Sequence, residues 1–288
     1  MIPDSVQQQI QQSLGQKIES SQSVSGGSIN RAAKVTLSDG KTCFLKWNTT
    51  ADTRMFAVEE KGLELLKAAD TSLRVPEVFA TGKTENSTGF LLEEFISEGQ
   101  SQPDSAEDFG KALAAMHQHH KDRYGLDHNN YIGKLPQSNN WHENWVDFFV
   151  EERMQPQLKM ATDAGKLGSN TVAHFESMYK QLDSIFPDEA PSLLHGDLWG
   201  GNYFFDESGK ATIYDPAVYY GHREIELAFT HLFGGFPGSF YDSYEKSYPL
   251  ESGFSQRKDV YNLYPLLVHT NLFGGSYARQ VEGIIKRF

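Results

Sequence analysis

The chain has 288 residues and a formal net charge of −12, from 26 Lys+Arg against 38 Asp+Glu. Apolar residues make up 39% of it, which is enough for a sizeable core and excludes wholesale disorder. The acidic balance argues against a nucleic-acid partner, because phosphate backbones are bound by clustered Lys and Arg. No apolar stretch approaches the ~18 residues of a membrane span, and the polar, Gln-rich start has no secretion segment. The single cysteine, Cys43, fits a reducing compartment, so we expect a cytoplasmic enzyme or ligand-binding protein.

Strand patterns dominate the first third of the chain. Alternating residues at 33–37 and 42–47, on either side of a Ser-Asp-Gly turn, predict a β-hairpin. Residues 55–69 have the apolar spacing of an amphipathic helix, and residues 89–96 predict a further strand. We therefore expect a small, mostly-β N-lobe over residues 1–96.

Helical patterns dominate the remainder, which we expect to form a larger C-lobe over residues 97–288. A compact strand-turn segment at 192–217 interrupts the helices, which are predicted at 104–121, 141–161, 168–185, 223–234 and 256–285. The fold class expected is thus α+β with two lobes. The tripeptide Phe-Gly-Gly occurs at 233–235 and again at 273–275, but this is too short to indicate an internal repeat.

The segment 193–205 carries the pattern most typical of chemistry. Asp197 and Asn202 are five residues apart on a Gly-rich loop, the spacing of a kinase catalytic loop, His-x-Asp-x-x-x-x-Asn. Asp215 follows at the end of an apolar strand. Phosphoryl transfer from a nucleotide needs a carboxylate that orients the attacking hydroxyl and groups that bind metal on the phosphates. We predict that Asp197 is catalytic and that Asn202 and Asp215 bind Mg²⁺, while His195 braces the loop.

An upstream lysine and glutamate have the spacing of a phosphate-binding pair. Lys46 lies in an apolar strand, where its charge is costly unless it faces an anionic partner; an outward-facing lysine on an edge strand is the alternative. Glu59, thirteen residues later, is preferred over Glu60 as that partner. It shares the face of the predicted helix that carries Phe56 and Leu63.

Two further segments complete the expected nucleotide site. A loop with Gly26, Gly27 and Ser28 precedes the first hairpin, and its backbone N–H groups could approach phosphates closely. At the end of the last N-lobe strand, the backbone of Glu94, Phe95 and Ile96 would form the inter-lobe hinge that meets the adenine. The cofactors expected are ATP and Mg²⁺.

Two features that suggest chemistry have simpler explanations. The histidines at 117, 119 and 120 resemble a metal cluster, but they fall at a helix end, where His side chains commonly meet free carbonyl groups. Cys43, next to the strand of Lys46, is interpreted as a thiol buried in the core.

These motifs resemble the protein-kinase-like superfamily, and within it the fructosamine kinase (ketosamine-3-kinase) family. The His-Gly-Asp-x-x-x-x-Asn loop alone indicates the superfamily, since aminoglycoside and choline kinases share it. The narrower resemblance rests on the tryptophan of His-Gly-Asp-Leu-Trp-Gly-Gly-Asn at 195–202 and on Asp-Pro-Ala-Val-Tyr-Tyr-Gly-His-Arg-Glu at 215–224. A third stretch, 266–274, and the loop at 26–30 extend it over nearly the whole chain.

The resemblance implies a protein-kinase-like fold and the phosphorylation of the 3-hydroxyl of ketosamines, which are sugar–amine adducts. The expected partner is a small-molecule or protein-bound ketosamine, with no nucleic acid and no membrane. Trp199, His222 and Arg223 are the candidates for substrate contact. Two positions depart from the family pattern: Ser28 stands where some members have cysteine or an acidic residue, and Glu226 where many have aspartate.

Two other functions stay open on the sequence alone. One is a kinase for another small hydroxylated amine, such as an aminoglycoside, although the Tyr-Tyr-Gly-His-Arg run at 219–223 speaks against it. The other is a non-catalytic pseudokinase, although such proteins usually lose one of the residues in the set Lys46, Glu59, Asp197, Asn202 and Asp215.

Overall fold

The computed structural model describes residues 1–24, 30–49, 52 and 54–288. An antiparallel sheet forms the N-terminal part, with the strands β1 (Ile18–Val24), β2 (Arg31–Leu37), β3 (Thr42–Asn48), β4 (Val78–Lys83) and β5 (Gly89–Glu94). These five strands lie in the order β1-β2-β3-β5-β4. Strand β5 ends two residues before the lobe boundary expected at residue 96.

Two helices pack on the opposite faces of this sheet. Successive side chains of a strand point to opposite faces, so Val35 and Leu45 reach one face and Leu91 the other. The first face packs against helix α1 (Asp4–Leu14) through Val6 and Ile10. Helix α2 (Met55–Ala68) covers the second face with Phe56 and Leu63 beside Leu91. Because α2 occupies only part of that face, the remainder is available to a cleft.

Residues 105–285 form a larger, mostly helical part around an extensive aromatic and aliphatic core. The helices are α3 (Ser105–His117), α4 (Trp145–Phe148), α5 (Gln155–Asp163), α6 (Ser169–Tyr179), α7 (Leu182–Ile185), α8 (Arg223–Thr230), α9 (Gly238–Ser247), α10 (Phe254–Phe273) and α11 (Ser276–Ile285). A π-helical turn, Phe149–Met154, joins α4 to α5, and a 3₁₀ turn, Leu232–Gly234, follows α8.

Short antiparallel strand pairs lie in this helical part and position its loops. The strands are β6 (Asn130–Ile132), β7 (Leu135–Gln137), β8 (Ser192–Leu194), β9 (Tyr203–Phe205), β10 (Ala211–Ile213) and β11 (Tyr219–Gly221). Strand β8 pairs with β11, and β9 pairs with β10, so the chain from 192 to 221 folds back on itself as two small ribbons.

Several helix bounds differ from the sequence expectation. Helix α1 was not expected, yet Ile2, Val6 and Ile10 recur every fourth residue and are buried. The helix expected over 256–285 is two helices, because Gly274 and Gly275 adopt positive φ values of 68° and 61° and so reverse the chain. Helix α9 was also missed, and the segment expected at 168–185 divides into α6 and α7.

The interpretation of Cys43 as a core thiol agrees with the structure. It lies on the α1 side of the sheet, fully buried, and burial raises the pKa of the thiol. Among the helices of the described residues, none is both long and apolar enough to span a bilayer.

Candidate active site

A large cleft separates the sheet from the helical part of the chain. Residues from both parts line it, among them Phe44, Lys46, Glu59, Asp197, Asn202 and Asp215. The residues that the kinase spacing singled out therefore face one common space.

On the sheet side of the cleft, Lys46 is surrounded by carboxylates. Its Nζ lies 2.6 Å from Glu59 Oε1 and 3.1 Å from Glu93 Oε1, and it also donates a hydrogen bond to Asp215 Oδ1. Burial disfavours the charged ammonium, but the attraction of Asp215, Glu59 and Glu93 raises the pKa of Lys46 well above its ordinary value. Lys46 thus stays a cation in a nearly solvent-free position, where it can neutralise an anionic ligand.

The sheet register explains why Glu93 joins this cluster. Strands β3 and β5 pair Phe44 with Glu93 and Lys46 with Leu91, so these side chains share the cleft face of the sheet. Burial raises the pKa of Glu93 to about 7, and its Oε2 has no hydrogen-bond partner among the described residues. The sequence did not single out Glu93, because the neighbouring residue Glu94 was assigned to the hinge.

Helix α2 brings Glu59, and not Glu60, to Lys46. The buried side chains Phe56 and Leu63 mark the face of α2 that packs on the sheet, and Glu59 lies between them on that face. Burial raises the pKa of the Glu59 carboxyl, against the lowering effect of Lys46. The lysine–glutamate pair expected from the sequence is therefore present.

Opposite the sheet, the loop after β8 presents Asp197. Asn202 Nδ2 donates to Asp197 Oδ2 at 2.9 Å and to the Asp197 carbonyl oxygen at 2.8 Å. This leaves the amide oxygen of Asn202 available as a metal ligand. Burial raises the pKa of Asp197 well above its ordinary value, against the hydrogen bond from Asn202. An aspartate in such a setting is a stronger proton acceptor than an exposed one.

His195 fixes the loop from inside the core. Its Nε2 lies 3.0 Å from the Tyr214 carbonyl oxygen, which can only accept, so Nε2 carries the proton. The unprotonated Nδ1 accepts the backbone N–H of Asp197 at 3.3 Å. Since burial lowers the pKa of His195, the ring is neutral at neutral pH. This is the bracing arrangement that the sequence indicates.

The conformation of Gly196 requires glycine. Its φ is +82°, and a Cβ atom there would lie 2.1 Å from the carbonyl oxygen of Ala217. Any side chain would push the turn away from residue 217, and with it Asp197.

A buried glutamate holds the same loop from below. Glu226, on α8, accepts the backbone N–H of Gly196 at 2.6 Å and that of His195 at 3.2 Å. His117 Nε2 lies 2.9 Å from the same carboxylate, and its Nδ1 lies 2.7 Å from the hydroxyl of Tyr244. Burial raises the pKa of Glu226, but these donors outweigh it and the net pKa is lowered. The sequence marked Glu226 as a departure from the family pattern but gave no sign of this contact.

Asp215 stands on the turn that follows β10. Its φ is +55°, in the left-handed region that non-glycine residues rarely adopt, and its side chain is 49% exposed to the cleft. Carboxylate and amide oxygens are the donors that Mg²⁺ takes in proteins. The donor set of Asp215 and Asn202 therefore fits a magnesium ion, and Asp197 lies on the same loop as Asn202.

At the end of β5, the expected hinge residues border the cleft. Glu94 and Ile96 line it, and the Glu94 carboxylate accepts from Arg74 Nη2 at 2.6 Å. Phe95 packs under Lys34, whose Nζ is 4.2 Å from the ring centre. The expected glycine-loop residues Gly26, Gly27 and Ser28 lie outside the described residues.

The structure separates the three residues expected to contact substrate. Trp199 lines the cleft beside Asp197, and its ring packs over the backbone of Gly201. His222, by contrast, is 1% exposed and stacks on Trp145 with ring centres 4.5 Å apart. Burial lowers the pKa of His222 well below its ordinary value, so it is a neutral core side chain.

Arg223 is also turned into the core. Its guanidinium donates to Glu189 Oε1 at 2.9 Å and to the carbonyl oxygens of Tyr248 and Pro249, both at 2.6 Å. It lies 3.6 Å from the ring centre of Tyr248. With these donors engaged and 3% of its side chain exposed, Arg223 does not reach the cleft. The placement of His222 and Arg223 does not support the expected substrate contact.

Comparisons with known proteins agree over the full chain. The model of the family described as "Fructosamine kinase" matches residues 2–288. A "Probable ketoamine kinase" of Lactiplantibacillus plantarum is 38% identical over 273 residues, covering 94% of this chain and 95% of that protein. The chloroplastic "Protein-ribulosamine 3-kinase" of Arabidopsis thaliana is 36% identical over 268 residues, 91% of this chain and 80% of that one.

A solved structure extends the agreement to the fold. The crystal structure of a "Putative fructosamine-3-kinase" from Haemophilus somnus 129PT superposes with a TM-score of 0.88 at 30% identity, covering 99% of this chain and 96% of that one. The α+β, two-lobed, protein-kinase-like fold expected from the sequence is thereby confirmed.

Removing the carboxylate of Glu226 should loosen the loop that carries Asp197. Glu226→Gln replaces an acceptor of two backbone N–H groups by an amide with one oxygen, so a buried donor loses its partner at a cost of about 1–3 kcal/mol. We expect that decrease in the free energy of unfolding in urea, together with a lower kcat. Glu226→Asp, which keeps the charge with a shorter reach, should lose less of both. Wild-type unfolding and kcat in Glu226→Gln would contradict the role.

Arg223 should matter for stability and not for substrate affinity. Arg223→Met leaves Glu189 as a buried charge without its partner, which typically costs about 3–5 kcal/mol. We expect urea denaturation to show a loss of that order. The double variant Arg223→Met/Glu189→Gln should recover part of it. A raised KM for the phosphoryl acceptor with unchanged stability would restore the substrate role.

Proposed function

This chain belongs to the fructosamine kinase family, and on that premise we propose that it is an ATP-dependent kinase that phosphorylates the 3-hydroxyl of ketosamines. The observation that carries the proposal is the meeting of Lys46, Glu59, Asp197, Asn202 and Asp215 at one cleft in a chain whose whole length matches the family. Those five side chains supply the cation, the carboxylate base and the metal ligands that phosphoryl transfer requires.

Each residue has a distinct task in this reaction. Lys46, held by Glu59 and Glu93, neutralises the α- and β-phosphates, while the backbone of residues 94–96 meets the adenine. Asp197 accepts the hydrogen bond of the attacking hydroxyl and takes its proton as the hydroxyl oxygen bonds to the γ-phosphorus and the bond from that phosphorus to the leaving ADP breaks. Asn202 and Asp215 would hold Mg²⁺, which offsets charge on the phosphate oxygens. The loop with Gly26, Gly27 and Ser28 is proposed to cover the phosphates.

The chemistry of the product explains the use of this reaction. A phosphate at C3 of the sugar is attached to the carbon next to the C2 carbonyl, and that carbonyl makes the C–H bonds at C1 acidic. Loss of a C1 proton gives an enol with a C1=C2 double bond. Phosphate then leaves from C3 as the amine nitrogen forms a double bond to C1, and hydrolysis of this iminium by water releases the free amine. The ribulosamine kinase named among the relatives acts on an adduct of the same class. Deglycation of amines is the proposed outcome. We also propose a cytoplasmic location, which is consistent with a reaction that consumes ATP.

Substrate class is tested by ADP release over a panel of acceptors. We expect turnover with fructose-, ribulose- and erythrulose-lysine adducts, and mass spectrometry should place the phosphate on the 3-hydroxyl. Turnover restricted to aminoglycosides, or ATP binding with no transfer to any acceptor, would overturn the proposal.

The Asp197→Asn variant tests the catalytic base. The amide keeps the size of the side chain but cannot accept the proton, so kcat should fall by roughly 10²–10⁴-fold. Mg²⁺·ATP affinity, measured by calorimetry, should change little, because the phosphate and adenine contacts lie elsewhere in the cleft. A near-normal kcat in Asp197→Asn would show that the loop has been misassigned.

Two carboxylates, and not one, should position Lys46. Either Glu59→Gln or Glu93→Gln leaves two anions on the ammonium, one of them Asp215, so each should lower kcat/KM for ATP only modestly. The double variant leaves Asp215 alone, and the loss should exceed the product of the single losses by about threefold or more, within the range of coupled neighbours. Glu60→Gln, one residue along α2, is the matched control and should match the wild type. Strictly multiplicative losses would show that Glu93 does not act on Lys46.

A further inference from the structure

Two phenylalanines are exposed at the mouth of the cleft. Large hydrophobic side chains are exposed in the described part of the chain at Met1, Val24, Phe233 and Phe273, and the two phenylalanines are 41% and 58% exposed. Both come from the Phe-Gly-Gly tripeptides, which are 40 positions apart in the sequence. The structure brings them to one surface.

A histidine and a tyrosine join the two phenylalanines. The ring of His269 lies 4.7 Å from Phe233, 5.6 Å from Phe273 and 5.0 Å from Tyr277, measured between ring centres. Trp199 meets Phe233 edge-on at 6.0 Å. We call these five residues, Trp199, Phe233, His269, Phe273 and Tyr277, the aromatic wall. Because Trp199, His269 and Phe273 line the cleft, the wall continues directly from Asp197 toward solvent.

The backbone at Phe233 is held in a conformation that core packing does not explain. Its φ and ψ are 60° and 36°, the left-handed region, which is unfavourable for a bulky side chain. The strained residue nevertheless leaves 41% of its surface exposed, so it gains little burial in return. Strained residues of this kind cluster at active sites and ligand clamps.

His269 adds one directed polar atom to this apolar surface. Its Nδ1 lies 2.7 Å from the Pro265 carbonyl oxygen, which only accepts, so Nδ1 carries the proton. The other nitrogen, Nε2, is then a bare acceptor, and it has no partner among the described residues. Burial also lowers the pKa of His269, which keeps the ring neutral. A neutral acceptor flanked by ring faces suits an ammonium N–H attached to an alkyl group.

From this geometry we propose, resting on the proposed function, that the aromatic wall binds the amine side of the ketosamine: His269 Nε2 accepts the ammonium N–H, and Phe233, Phe273 and Tyr277 pack on the alkyl chain beyond it. The five side chains of the wall carry no charge at neutral pH. Adducts on long alkylamines are therefore preferred over adducts on short ones, because a longer chain makes more contact with the exposed rings of Phe233 and Phe273.

A series of fructose adducts of methylamine, butylamine and hexylamine tests the apolar part. For the wild type, kcat/KM should rise along the series by roughly two- to fourfold for each methylene that the wall buries. In Phe273→Ala the rise should be much smaller, because the outer ring is gone. The control is Phe254→Ala, at the other end of α10, which should keep the wild-type rise.

The results separate the two proposals. Phosphorylation of all adducts with equal kcat/KM, or an unchanged rise in Phe273→Ala, would overturn the aromatic wall and leave the kinase function standing. Phosphorylation of no adduct would overturn both.

The polar part is tested with the hexylamine adduct and its ether analogue, in which oxygen replaces the nitrogen. The wild type should prefer the amine, since only the ammonium can donate to His269. In His269→Phe, which keeps a ring but has no acceptor, the ratio of the two kcat/KM values should fall toward one. An unchanged ratio would exclude the hydrogen bond to His269.

Discussion

The buried charge of Lys46 is the constraint on which the cleft depends. An ammonium group that is 6% exposed is tolerated only when anions surround it. Here the anions come from three separate elements: Glu59 from α2, Glu93 from β5, and Asp215 from the turn after β10. The charge of one lysine therefore ties the sheet, its helix and the turn of Asp215 in the other lobe to a single point, and this point is where the phosphates are proposed to bind.

The loop that carries Asp197 is also held by a buried charge, but here the charge is negative. Glu226 is a buried anion, and it is stabilised by two backbone N–H groups of the loop and by His117. Such a carboxylate cannot move without leaving its own charge unpaired, so it fixes the loop conformation that presents Asp197. The position of Asp197, the proposed base, thus depends on a buried side chain that does not itself line the cleft.

The spacing of residues within short segments made the principal part of the site predictable. The other residues are placed by contacts that are distant in sequence, and these could not be predicted. Lys46 with Glu59, and Asp197 with Asn202, follow from strand, helix and loop periods within short segments. Glu93 could not be distinguished from its neighbour Glu94 without the sheet register. Arg223 lies inside the most specific motif, yet its partners Glu189, Tyr248 and Pro249 are 25 to 34 residues away in sequence, so nothing local showed that it is buried. Likewise, the sequence shows two adjacent glycines before α11, but only the structure shows that one helix ends and another begins there.

The two sides of the cleft therefore differ in charge, and this difference favours a separate position for each substrate. Its sheet side offers an ammonium group and metal ligands, which suit phosphates, whereas its outer C-lobe side offers uncharged rings and one neutral acceptor. The triphosphate of a nucleotide meets no cation on the aromatic wall, and an alkylammonium group is repelled by the like charge of Lys46. Charge therefore disfavours each substrate in the other's position. Asp197 lies where the two regions meet, which is where the proposed base has to stand to reach a hydroxyl of one substrate and the phosphate of the other.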